Sequence, residues 1–325
     1  MSEQALPAGV KTAGIRRHSG ELRALAARWG IYVFLVLFIV VSGIVAPSFL
    51  HARNLSNLVI QLVPLALVAL GQCLVIMARG LDLSVASVMA TAAVVGTSFS
   101  GDNHAVLPII VVAVLIGAAT GLVNGLLVTK RQVSPFLATL ASMIVLQGLR
   151  FAWTHGAPTG AMPPFFRALG TQSWHQVPLS LFVLVPIAAV VGIVVHRTIL
   201  GRKIYIIGGN PVAAGLLGYP VAVITIGAYV ASGCLAAIAG LILGGYAEIV
   251  DNSVGSGFEL DSIVAAVIGG FALSGGRGTI PGALAGAAVL VLVSNIVLLV
   301  GLPVQFQIIL KGLVIVLAAA CYRTR

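Results

Sequence analysis

The sequence predicts an all-α polytopic membrane protein with about ten transmembrane helices, a single membrane domain and both termini cytoplasmic. Composition is the first reason. Hydrophobic residues make up 59% of the 325-residue chain and charged residues only 8%, with a mean hydropathy of +1.12. One water-soluble core could not hide so much apolar sequence. The second reason is the repeated apolar run of roughly 20 residues, the length a helix needs to cross hydrocarbon. The third is sidedness. Lys11, Arg16, Arg17, Arg23, Arg28, Arg79, Lys130, Arg131, Arg197, Arg202, Lys203, Arg277, Arg323 and Arg325 all fall on segments that alternating connectivity places inside. Arg53, Arg150 and Arg167 fall outside, and Lys311 within a span. The net charge of +10 therefore reads as an orientation signal and a contact to anionic lipid, not as a nucleic-acid footprint.

In chain order, residues 1–28 read as a basic cytoplasmic tail, followed by one transmembrane domain over 29–325. The first two spans are expected at 29–46 and 57–78; Pro64 interrupts the second, whose Asn57, Gln61 and Gln72 must face protein or water. An inside turn follows at 78–87, ARGLDLSVAS, where Gly80 permits the tight bend and Asp82 caps the next helix or meets a partner. The third span is expected to rise to Ser100 and the fourth to return to Thr129. A fifth, at 134–152, carries Thr139, Ser142 and Gln147. The segment 153–177, rich in Pro, Gly, Trp and His, reads as the longest outer loop, with aromatics suited to the membrane interface. The sixth span is expected at 178–195. Beyond the loop at 197–220 come spans at 221–245, 260–273, 280–300 and 303–320, the last four crowded with small residues that let helices approach closely. Because helices two to five start outside and seven to ten inside, an inverted repeat is possible.

The loop at 197–220 is the segment the rest is organised around. Arg197, Arg202 and Lys203 fix it inside. Asn210 followed by Pro211 is a helix start, since Asn can cap orphan N–H groups and Pro at the first helical position lacks only a donor that would be unpaired. Residues 212–217 give one or two turns that Gly218 ends in the left-handed conformation. So short a helix needs packing against the rest of the chain or a partner. Cys73, Cys234 and Cys321 show neither disulfide nor metal spacing, and His155, His175 and His196 share no ligand pattern.

Three ordered stretches, GLDLSVAS at 80–87, GRKIYIIGGNPVAAGLLGY at 201–219 and FELDSIVAAVIGGFALSGGRGTIPGALAGA at 258–287, resemble the permease subunits of bacterial ATP-binding-cassette importers for ribose, xylose, galactose and similar sugars. Ala86 and Tyr219 depart from the family's usual Gly and aliphatic residue. The resemblance implies a multi-pass protein of the bacterial inner membrane that works with a second permease copy, identical or closely related, an ATP-binding subunit and an extracytoplasmic solute-binding protein. It implies a coupling helix for the ATPase at Gly208, Asn210, Ala213, Ala214 and Gly218, beside Arg202, with the turn at Gly80 and Asp82 as a second cytoplasmic contact. The chain lacks a G-x-x-x-x-G-K-[ST] phosphate loop, so the implied subunit is not an enzyme and holds no cofactor; ATP and magnesium belong to the partner.

For the pathway, Gln61, Thr139, Ser142 and Gln147 are the candidates, because neutral amides and hydroxyls exchange hydrogen bonds with sugar hydroxyls without trapping them; the alternative is that they join helices. Lys311 is expected to pair with Glu259 or Asp261, with snorkelling or substrate contact as the alternatives. Rival readings are a branched-chain amino-acid or nucleoside permease of the same superfamily and an ion-coupled secondary transporter. The latter would need ionisable groups near the midplane, whereas Asp82, Glu259 and Asp261 lie near span ends. An intramembrane enzyme lacks a Ser/His pair, a metal cluster or paired aspartates at a membrane mouth.

Overall fold

The structure, a computed structural model, describes residues 29–99, 101–247, 249–303 and 305–321. The expected tail at 1–28 and Arg323 and Arg325 lie outside the described residues. Apart from a two-strand hairpin, β1 (Ser173–Trp174) with β2 (Val177–Pro178), the regular elements are helical, as an apolar environment demands of a backbone that must satisfy its own hydrogen bonds.

Two 26-residue helices, α2 (Ala52–Met77) and α10 (Val221–Tyr246), form the centre. Every residue of α2 from Val63 to Met77 is buried. Around this pair stand α3 (Val85–Thr97), α4 (Val106–Lys130) and α5 (Pro135–Thr154), and opposite them α11 (Phe258–Ile268), α12 (Ile280–Leu299) and α13 (Gln305–Cys321). The packing is reciprocal: α10 lies on α3 and α4, and α2 lies on α11 and α12. Small residues make the central approach possible. A Cβ on Gly117 of α4 would collide with the Gly233 carbonyl of α10, and one on Gly233 with the Gly117 carbonyl; no side chain fits between two backbones so close. The outer faces of α1 (Trp29–Val45), α4, α5 and α7 (Leu181–Arg197) expose Val, Leu, Ile and Phe, the surface that lipid covers.

Five helices among the described residues are long and apolar enough to cross a membrane: α2, the stretch Asn103–Lys130 containing α4, α5, α10 and α12. A sixth crossing results if α7 and α8 (Ile199–Gly209), bent by 67° at their junction, are one span. The expected third and eighth spans are shorter than the sequence suggested. Helix α3 has 13 residues and α11 has 11, roughly 20 and 17 Å of rise against a hydrocarbon core of about 30 Å. The glycine-bearing turns at 78–84 and 269–279 take up the remainder as non-helical backbone. Such backbone is tolerated at depth only when protein surrounds it, and every residue of α3 is buried.

Two further segments depart from expectation. The outer loop at 153–177 is partly folded: α6 (Pro164–Thr171) packs on α10 through the buried Phe166. The inner loop contains α8 as well as the expected short helix, which is α9 (Pro211–Leu216). Basic residues masked an apolar stripe there: Ile204 and Ile207 of α8 are buried, three apart on one helical face.

Candidate functional site

Helix α8, which carries α9, stands on two turns, one before α3 and one between α11 and α12. Just past the end of α2, Arg79 adopts a left-handed conformation with φ of 65°, and Gly80 N–H donates to the Val75 carbonyl at 2.9 Å. Arg79 Nε donates to the Ser274 carbonyl at 2.8 Å, and Tyr205 Oη on α8 to the Gly278 carbonyl at 2.8 Å. Gly276 N–H donates to the Met77 carbonyl at 3.1 Å. Gly208 fills the centre of this junction; a Cβ there would strike the Met77 carbonyl and the Gly276 backbone. The structure thus brings Gly80, Gly208 and the 274–279 turn into one rigid base.

On that base α9 is capped at both ends. Asn210 Oδ1 accepts from Ala213 N–H at 3.0 Å, with Pro211 at the first position. At the other end Tyr219 N–H donates to the Ala214 carbonyl and Gly218 N–H to the Gly215 carbonyl, both at 3.0 Å, with Gly218 left-handed at φ of 81°. This is the Schellman arrangement. The two alanines part company: Ala214 is 1% exposed and anchors the helix, whereas Ala213 is exposed. What the helix presents outward is Val212, Leu216 and Leu217, at 72%, 86% and 74% exposure, flanked by exposed Asn210 and, on α8, Arg202. Three exposed aliphatic side chains on a six-residue helix and its C-cap make an apolar patch beside basic residues.

Behind the platform that α8 and α9 form lies a buried polar lattice. Asp82 is fully buried and does not cap α3 directly. Its Oδ1 accepts from Ser84 N–H at 3.0 Å and Ser84 Oγ at 2.6 Å, closing the turn before α3. Its Oδ2 accepts from Ser232 Oγ on α10 at 2.8 Å. Ser84 Oγ in turn accepts from Asn124 Nδ2 on α4 at 2.9 Å, and Asn124 Oδ1 accepts from Ser142 Oγ on α5 at 2.6 Å. One carboxylate thereby ties the α3 head to α10, and through Ser84 to α4 and α5. Ser84, Asn124 and Ser232 were not singled out in the sequence, although polar residues within apolar runs mark such sites.

The remaining candidates separate. Thr139 is buried and donates to the Pro135 carbonyl of its own helix at 2.9 Å. Ser142 belongs to the lattice. Gln61 is half-buried on α2, apart from the others. Gln147 lines a cavity of about 320 Å³ between α3, α5 and the segment before α11. Arg150, placed outside by the alternation of spans, is 3% exposed in the wall of that cavity. Across the molecule, Lys311 Nζ donates to Asp261 Oδ2 at 2.6 Å, while Glu259 Oε2 accepts from Gly257 N–H at 2.8 Å.

A bundle with a capped docking helix at one end, a buried polar lattice and a polar cavity beyond it has the construction of a transport permease. Residues 54–319 match the family described as the branched-chain amino acid transport system permease component, and the chain belongs to that family. It is similar to the ribose import permease protein RbsC of Bacillus subtilis, 36% identical over 91% of this chain and 92% of that one. It is also similar to the L-arabinose ABC transporter permease protein AraH of Azospirillum brasilense, 33% identical over 93% and 89%, and to the galactose/methyl galactoside import permease protein MglC of Escherichia coli, 32% identical over 90% and 92%. No solved structure matches the chain.

Proposed function

We propose that this protein is the membrane-spanning subunit of an ATP-driven importer of the bacterial inner membrane, translocating a monosaccharide delivered by an extracytoplasmic solute-binding protein. The observation that carries the reading is α9: a short helix carried by α8, which packs on the turns before α3 and before α12, with Val212, Leu216 and Leu217 turned outward. Force applied there by an ATP-binding partner passes through Gly208 and the Arg79–Ser274 hydrogen bond into two short helices at once, a rigid-body route to alternating access. Sugar as cargo is supported by relatives named for ribose, L-arabinose and galactose, and by Gln147 of α5, which lines a polar cavity. A second permease copy would complete the conduit against the apolar faces of the bundle.

Ten crossings with both ends inside fit the element order when α1, α3, α11 and α13 complete spans that their helices alone do not. The inverted repeat is supported by packing, with α2–α5 corresponding to α10–α13: α2 stands to α11 and α12 as α10 stands to α3 and α4. Leu81-Asp82 and Leu260-Asp261 head the two short helices.

The test is uptake by vesicles in which this chain is reconstituted with an ATP-binding subunit and a solute-binding protein. Accumulation of a monosaccharide should require ATP and survive collapse of proton and sodium gradients. Uptake driven by an ion gradient without ATP would overturn the proposal.

A further inference from the structure

The cavity beside α5 is a site that the platform and the lattice do not explain. Its floor is formed by Ala86 and Ser87, near the head of α3. Ser87 stands three residues after Ser84, about 4.5 Å of helix rise above the lattice, and Ser87 Oγ donates to the Met143 carbonyl at 2.8 Å. That bond ties the cavity floor on α3 to α5.

One wall is rigid. Arg150 donates through Nε to Asn252 Oδ1 at 3.2 Å, through Nη2 to the Asn252 carbonyl at 2.9 Å, and through Nη1 to the Ser87 carbonyl and Thr91 Oγ1 at 3.2 and 3.3 Å. Asn252 Nδ2 is fixed in turn by Thr154 Oγ1 and the Gly156 carbonyl, each at 3.0 Å. Four of the five guanidinium donors are thereby used; the fifth, on Nη2, has no partner among the described residues. Arginine stays ionised, and a buried cation is costly unless its surroundings compensate. Here every acceptor it meets is neutral, while the carboxylates of Asp251 and Glu259 line the same cavity without reaching it. Ser253 N–H and Oγ already occupy Asp251 Oδ1.

The lining so offers amide donors and acceptors from Gln147, a guanidinium donor and two carboxylate acceptors, with the ring of Phe151 alongside. Such a mixture of donors and acceptors suits a ligand whose groups are each both donor and acceptor, which is the chemistry of a polyhydroxylated ring. The volume, about 320 Å³, lies at the lower end of the roughly 300–1,000 Å³ typical of small-molecule sites. We propose that this cavity is a transit site for a neutral monosaccharide, in which Arg150 and Asn252 form the fixed wall, Gln147 and the two carboxylates take the hydroxyl groups, and Ala86 and Ser87 form the floor. The inference rests on the sugar-importer reading and adds the place where the cargo pauses.

The test uses the complete importer in membrane vesicles, carrying Gln147→Cys with Cys73, Cys234 and Cys321 replaced by Ser or Ala. A small polar thiol reagent should label Gln147→Cys, and D-ribose, L-arabinose or D-galactose, whichever the importer takes up, should slow the labelling severalfold. In the unlabelled importer, Gln147→Ala should raise the sugar concentration giving half-maximal uptake about three- to tenfold, the value of one neutral hydrogen bond. Unchanged labelling and half-saturation, in vesicles that still take up the sugar with ATP, would overturn the transit site and leave the importer reading standing. Failure of every sugar to be taken up, with labelling slowed by an amino acid such as leucine, would overturn both.

Discussion

Lys311 and Asp261 form an ion pair at 2.6 Å, with 28% and 20% of their side chains exposed, joining α13 to the first turn of α11. A cation within an apolar helix and a carboxylate at the head of a short one each satisfy what the other lacks. Lys311→Met should destabilise the protein by about 1–3 kcal/mol, between the values of exposed and buried pairs, and lower both assembly and uptake. Lys311→Met combined with Asp261→Asn should recover part of the loss, because no unpaired charge remains. Wild-type expression and uptake in the single variant would remove the pair from the account.

Asp82 is the hub of the lattice, accepting three hydrogen bonds in full burial. Asp82→Leu should strand Ser84 and Ser232 and cost about 2–5 kcal/mol, read as a lower unfolding temperature in detergent. Asn124→Leu, which cuts the lattice farther along, should cost less. Equal stability of all three proteins would show that the lattice does not hold the helices together.

Asn210→Ala should remove the cap of α9 at a cost of about 1 kcal/mol, too little to unfold the bundle. Protein yield should therefore stay normal while ATP-coupled uptake falls. A drop in yield that accounts for the whole loss of uptake would instead make the cap merely structural.

Gly208→Val should separate α8 from the 274–279 turn, since backbone on both sides leaves no room for a side chain. Overpacking of this kind costs about 1–3 kcal/mol and here falls on the coupling route. The checkable result is uptake lost to a greater degree than thermal stability.

Much of the fold could be read in advance from apolar runs and basic loops, and the ends of α9 followed from Asn210, Pro211 and Gly218 alone, because capping is local chemistry. The lengths of α3 and α11 could not be read so. Apolar residues continue past α11 as Phe271, Ala272 and Leu273, and where the chain unwinds depends on contacts with distant segments, such as Gly276 N–H on the Met77 carbonyl. The partners of Asp82 were hidden for a similar reason: Ser232 is 150 residues away, and a lone serine in an apolar run carries no spacing pattern. The surroundings of Arg150 were hidden in the same way: the sequence put it on the outer side, and Asn252, 102 residues on, folds back to enclose it. The apolar face of α8 escaped notice behind Arg202 and Lys203.

The central claim is that an ATP-binding partner grips α9, and a crosslink tests it most directly. With Leu216→Cys in the assembled importer and the native cysteines replaced, a short bifunctional reagent should join this chain to the ATP-binding subunit, and the joined complex should stop coupling ATP hydrolysis to uptake. Capture of no such subunit, or labelling of Leu216→Cys by an impermeant reagent from outside the cell, would contradict it.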